Sequence, residues 1–319
     1  MIACPVKIRT AAFILVGCAT LCALSRAQSS STPQSAAQAE QIAASTDRPI
    51  PEVVAMMHDV EINQRKAEAI KKDYLYHSVE TQQQVDVHGQ VKKLTVNEYD
   101  HYWTNGVPVW RLVKKNGKPL TPEETSREDE RIDKAVAKAR ERRDKADAQG
   151  KETDATGEEE ITVSRLVELG AFTNARRVQL DGRDTVAVDY AGDPKAKTRN
   201  RAEDAVRDLQ GTAWIDERDR MLVRVEGHFV DTFKVGGGLL VDIKKDTSFS
   251  FEQTKINDEV WLPARIDAQG SLRALLFISF SGNVHVAESG YRKFRTTSTI
   301  LPAQTQVNEQ PTGNGPAQP

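Results

Sequence analysis

Over residues 74–117, and again over 177–294 outside a short stretch near 199–209, the apolar side chains keep returning at every second position, and turn-forming pairs interrupt them at short intervals. A period of two restricts these parts of the chain to strands, because a helix repeats its buried face every three to four residues. Leu75, His77, Val79 and Thr81 share one side of a first strand, which ends near His88-Gly89; Leu94, Val96, Tyr99, Tyr102 and Trp103 follow. Asn105-Gly106, Asn116-Gly117 and Asp181-Gly182 mark tight turns, since both residue types tolerate positive φ. Runs and turns together predict about ten strands in hairpin order, each antiparallel to the next. A sheet that wide twists and cannot stay flat. The expected fold class is therefore α+β, mainly β: a large curved antiparallel sheet, a half-open barrel in meander order, with helices packed on its concave side.

The two ends of the chain read differently. Lys7 and Arg9 precede an apolar run over residues 10–24, and Ser25-Arg26-Ala27 offers small side chains for cleavage after Ala27. This is the pattern of an export signal over residues 1–27, and it is too short to anchor in a bilayer. Leu15-Val16-Gly17-Cys18 also reads as a lipobox, in which Cys18 would be lipidated; both readings place the protein in the periplasm, free or lipid-anchored. Cys4, Cys18 and Cys22 all fall in this segment, so a chain cleaved after Ala27 has no thiol and depends on an ordinary buried core. Residues 28–47 and 297–319, rich in Ser, Ala, Gln, Pro and Asn, are expected to be flexible. One β-rich domain is expected over 48–296.

Within that domain Ser45, Thr46 and Asp47 supply cap-type residues ahead of a helix over 52–72, whose spacing is Val53, Met57, Val60, Gln64, Ala67 and Lys71, with Met56 and Ile70 widening the apolar stripe. Residues 122–160 form a charged helical insertion with Ile132, Val136 and Ala139 as a thin apolar line. It reads either as an exposed helix between strands or as a lid over a cleft. A short helix over 160–169 stops at Gly170, and a small one lies near 199–209.

The alternation also selects candidate binding residues. In the strand after the turn at Glu217-Arg218-Asp219, Met221, Val223, Val225 and Phe229 fall on one face, and Arg224, Glu226 and His228 on the other. Phe249 and Phe251 make a second apolar row, while the strand over 272–280 is apolar on both sides at Leu275, Leu276, Phe277 and Ile278. The candidate lining of an apolar cavity is Met221, Val223, Val225, Phe249, Phe251, Leu276, Ile278 and Phe280.

Gly211-Thr-Ala-Trp214-Ile215-Asp216, Leu222-Val-Arg224-Val-Glu226 and Val260-Trp261-Leu262-Pro263 resemble the strand–turn–strand pattern of the LolA/LolB-like superfamily of exported lipoprotein-sorting proteins, a group that includes sensors related to the sigma-factor regulator RseB. The resemblance implies a half-open antiparallel barrel with helices in its mouth and an apolar cavity that holds acyl chains. No ligand-contacting residue of that group aligns with a position here. The 122–157 insertion is longer than a basic carrier needs.

Reactive chemistry is not advertised. His58, His77, His88, His101, His228 and His285 are scattered, no Gly-x-Ser-x-Gly elbow occurs, and Gly236-Gly-Gly238 lacks the Lys-Ser/Thr of a phosphate loop. With 44 basic against 46 acidic residues and a net charge of -2, no broad field favours nucleic acid. These features point to a non-enzymatic protein without cofactor or metal, and with no membrane-spanning segment after the signal. The expected function is that of a periplasmic carrier or binding protein for a lipid, an acyl chain or a lipoprotein. The alternative is an envelope protein-interaction or stress-signalling module with a filled core.

Overall fold

The computed structural model describes residues 41–42, 48–150, 153–158, 160–238, 240–274 and 278–294. The expected export signal with Cys18, most of the 28–47 linker and the 297–319 tail lie outside the described residues, as does Leu276.

Fourteen strands build one antiparallel sheet. After β1 (Gln41–Ile42), the chain makes β2 (Tyr74–Val85), β3 (Val91–Thr104), β4 (Val107–Lys115) and β5 (Lys118–Pro119). A second run comprises β6 (Gly170–Leu180), β7 (Arg183–Gly192), β8 (Leu209–Asp216) and β9 (Met221–Phe229). It continues through β10 (Phe233–Val235), β11 (Val241–Ile243), β12 (Ser248–Ile256), β13 (Val260–Ala274) and β14 (Ile278–Lys293). The sheet is open, with β1 and β5 at its two ends. Local turns follow the sequence closely: Asn105 and Gly106 have φ of 53° and 72°, Asn116 and Gly117 51° and 75°, and Asp181 and Gly182 51° and 75°. Two consecutive residues with positive φ match the right-handed twist of the flanking strands.

Meander order holds only in pieces. The first long strand, β2, pairs with the last, β14, so β2–β5 continues the sheet from the C-terminal strand and β5 ends up at the opposite end from β6. Hairpin logic predicts neighbours in sequence, and it cannot see a pairing between residues 200 apart. The charged insertion is what makes this order feasible, because it carries the chain from one edge of the sheet to the other. Its helix α2 (Pro122–Asp147) starts with a capping box between Thr121 and Glu124, and sets Ile132, Val136 and Ala139 on Val107 and Val109 of β4.

The other helices cover one face of the second run. Helix α1 (Val53–Lys71) is capped by Glu52, whose carboxylate accepts from the Val54 and Ala55 amides at 3.0 and 2.6 Å, rather than by the Ser45–Asp47 group. Helix α3 (Val163–Leu169) is tied to α1 where the Val163 amide donates to Glu61 at 3.0 Å. A six-residue helix α4 (Arg201–Val206) precedes β8.

Two glycines crease the sheet. Gly270 of β13 and Gly282 of β14 are directly paired, with φ of 150° and 147°. A Cβ on Gly282 would stand 1.8 Å from the Gln83 carbonyl oxygen of the next strand. Such positions let a wide sheet coil without breaking its ladder. Gly282→Ala is expected to lower stability by about 2 kcal/mol or more, through strain and the clash together. The midpoint of urea unfolding measures it.

Candidate functional site

The sheet has two faces of opposite character, and pairing register defines them. Val225 of β9 pairs with Phe251 of β12, Phe251 with Ile266 of β13, and Ile266 with Val286 of β14. One residue away, Glu226 pairs with Ser250, Ser250 with Asp267, Asp267 with His285, and His285 with Thr81. Successive side chains of a strand point to opposite faces, so an apolar row and a polar row run back to back across the same strands.

The apolar face is closed. Val186 and Val188 of β7, Ala213 and Ile215 of β8, and Leu222 and Val225 of β9 form one cluster with Met56, Met57 and Val60 of α1 and Val163, Leu166 and Leu169 of α3. Phe249 and Phe251 pack against it. Val225 and Ile215 have no exposed surface.

The remaining candidate lining residues are distributed elsewhere. Met221 and Val223 belong to a separate cluster with Trp214, Trp261, Val178 and Ala187. The reason is a β-bulge: Trp214 pairs with Arg224 and Ile215 with Leu222, so Val223 is an extra residue in the strand. The bulge shifts the alternation, and Leu222 takes the place beside Val225 that strict periodicity gives to Val223. Phe280 is buried at 8% exposure and pairs with Leu272. Ile278 opens β14 opposite Ala274, and its side chain, like all of Leu276, lies outside the described residues.

The residues that carried the family resemblance hold the β8–β9 turn. Asp216 is 1% exposed and accepts two hydrogen bonds from the Arg183 guanidinium, at 2.5 and 3.0 Å, and one from the Asp219 amide at 2.7 Å. Asp219 in turn accepts from Trp261 Nε1 at 2.9 Å and pairs with Lys255 at 2.7 Å. Burial opposes the Asp219 charge, but these bonds and the nearby cations outweigh it and keep its pKa below the usual range. Arg183 lies over the Trp261 ring and Arg224 over the Trp214 ring, at 5.3 and 5.0 Å from the centroids. Both tryptophans thus pair an apolar cluster with a cation.

The polar face carries a trough of about 580 Å³ across β9, β12, β13, β14 and β2. Glu226, Ser250, Asp267, His285 and Thr81 form its first row, and Ser248, Gln269, Asn283 and Gln83 its second. His285 Nδ1 meets Asp267 at 2.6 Å, and Glu226 is ion-paired with Arg224. Phe249, Ala268 and Val284 also border the trough; Phe249 was a sequence candidate, whereas the polar residues stood in the sequence only as scattered positions. The available signal was the recurrence of polar residues at i and i+2 on three strands: Ser248 with Ser250, Asp267 with Gln269, and Asn283 with His285.

A third group lies on the helix-covered face. The Glu288 side chain is 3% exposed, its Oε2 has no hydrogen-bond partner, and burial lifts its pKa to about 8. The Nε2 of His101 is 3.7 Å from that oxygen and also contacts Ser78 Oγ at 2.7 Å. Tyr76 stacks on the His101 ring at 4.5 Å. A nucleophile relay needs the hydroxyl and the carboxylate on opposite ring nitrogens. Here both approach the same one, so the trio is not arranged as such a relay. Among the described residues no group of three or more His, Cys, Asp or Glu is arranged to hold a metal ion, and no helix is long and apolar enough to cross a membrane.

These features define an open antiparallel-sheet protein with a helix-covered apolar face and a hollowed polar one. Three solved structures are similar to it. The first, described as an outer membrane lipoprotein-sorting protein domain from Vibrio parahaemolyticus, is 10% identical, with 76% of this chain and 94% of that chain covered at a TM-score of 0.34. A LolA superfamily protein from Nitrosomonas europaea is 11% identical over 75% and 94% of the two chains, at 0.31. A DUF1329 family protein from Desulfovibrio piger is 10% identical over 76% and 92%, at 0.30. At such TM-scores the overlay assigns no residue a role. No protein-family model matches the chain, and no curated protein matches it.

Proposed function

We propose that this is a non-enzymatic protein of the cell envelope that works at a lipid surface and handles an acyl chain or a lipidated partner. The observation that carries this reading is the tip of the β2–β3 hairpin. Val87, Val91 and Leu94 stand in water there at 94%, 58% and 54% exposure, beside the exposed Lys92 and Lys93. Clustered apolar side chains left in water on a well-formed hairpin mark a contact surface. The one carboxylate at the tip, Asp86, is used within the turn, accepting from the His88 and Gln90 amides at 2.8 and 3.0 Å. Burying each of these three side chains in a bilayer interface is worth roughly 1.5–3 kcal/mol, and each lysine adds about 1 kcal/mol at an anionic surface. An acyl chain would lie under α1, where Met56 and Met57 are the adaptable side chains best suited to make room.

The experiment is flotation of the chain from residue 28 onward with vesicles of phosphatidylethanolamine and phosphatidylglycerol, together with uptake of a fluorescent fatty acid. The unaltered protein is expected to float, and a Val87→Ser, Leu94→Ser variant to lose at least about five-fold in vesicle affinity. A protein that neither floats nor takes up the fatty acid supports a second reading, a docking module without ligand. What favours that reading is the filled cluster around Val225 and Ile215.

A further inference from the structure

We propose that the trough on the polar face is a binding site for a neutral, polyhydroxylated ligand, a saccharide. Thr81, Gln83, Ser248, Ser250, Gln269 and Asn283 line it, and none of the six makes a side-chain hydrogen bond to another described residue. Three are amides and three are hydroxyls, so each offers both a donor and an acceptor. A sugar ring presents the matching set, with every hydroxyl able to give one hydrogen bond and accept others.

Charge selects against ionic ligands. The two carboxylates of the trough already have partners: Asp267 is hydrogen-bonded to His285 at 2.6 Å, and Glu226 is ion-paired with Arg224. No lysine or arginine lines the hollow, so a phosphate or carboxylate ligand would find no counter-charge within it. An apolar ligand would strand the amides and hydroxyls without partners, at a cost for each one buried. The volume of about 580 Å³ falls in the usual range of ligand sites.

Shape supports the same occupant. The first polar row crosses five hydrogen-bonded strands and the second four of them, in register. They form a long, shallow track that suits a linear oligomer better than a single compact molecule. Because the track lies on the opposite face from α1, a ligand there leaves the apolar cluster beneath that helix undisturbed.

The test uses maltotetraose and tetra-N-acetylchitotetraose in saturation-transfer NMR, and cosedimentation with insoluble cell-wall glycan, on the chain from residue 28 onward. A Gln269→Ala, Asn283→Ala variant changes two exposed residues and is expected to keep its thermal midpoint and its vesicle flotation. Its saccharide affinity should fall about tenfold, the equivalent of one or two hydrogen bonds. Transfer to the short sugars marks a soluble saccharide as the ligand. Sedimentation with the polymer alone marks wall glycan, and either outcome upholds the site. No transfer and no cosedimentation with any probe overturns it, as does binding that the double variant leaves unchanged.

Discussion

Glu288→Gln should make the protein more stable at neutral pH. The carboxyl is buried with one oxygen unpartnered, and desolvation alone raises its pKa from 4.5 to about 8. Below pH 4.5 the group is neutral in both the folded and unfolded chain and costs nothing. Between 4.5 and 8 the unfolded chain gives up its proton while the folded one keeps it, so stability falls as pH rises through this window. By pH 7 the loss amounts to roughly 3 kcal/mol, taking 1.36 kcal/mol for each pH unit. Glutamine keeps the shape and the neutral charge and removes this dependence. Urea midpoints at pH 5 and pH 7 should therefore diverge in the parent and converge in the variant. If the variant is no more stable than the parent at pH 7, Glu288 finds solvent or a partner that its burial here does not provide.

Asp216→Ala should strongly destabilise the β8–β9 hairpin. It removes the acceptor of two Arg183 hydrogen bonds and one turn amide at a site with 1% exposure. Breaking one side of such a pair costs about 3–5 kcal/mol when both partners are deeply buried. Arg183 keeps Asp219 at 2.9 Å, and its side chain is 28% exposed, so the lower end of that range applies. Asp216→Asn retains an oxygen for the Asp219 amide and is expected to cost about half as much. Guanidinium unfolding followed by tryptophan fluorescence reads both, since Trp261 shares the network. A cost under about 0.5 kcal/mol for Asp216→Ala would mean the turn is held by its backbone alone.

What could be read from the sequence was what neighbours in the chain decide. The Asn-Gly and Asp-Gly turns, the first helix with Met56, Met57 and Val60 on its buried side, and the alternation of β9 and β12 all depend on residues a few positions apart. The bulge at Val223 depends on which residue of β8 faces it, and one inserted residue was enough to move Met221 and Val223 into a different cluster from Val225. The polar trough depends on the register of five strands at once, so its residues could be seen as pairs at i and i+2 but not as one surface. Trp214, Asp216 and Trp261 stood out in the sequence; Asp216 and Trp261 bond within the network of the β8–β9 turn, and Trp214 packs in a neighbouring cluster under Arg224.

The pairing of β2 with β14 has a consequence for how the molecule comes into being. The N-terminal hairpins find their lateral support only in the final strand, roughly two hundred positions downstream. Closing so distant a contact is slow and entropically expensive. Until the last segment has emerged from the ribosome, the early strands have no complete sheet to join. A polypeptide wired in this way stays pliable throughout its synthesis.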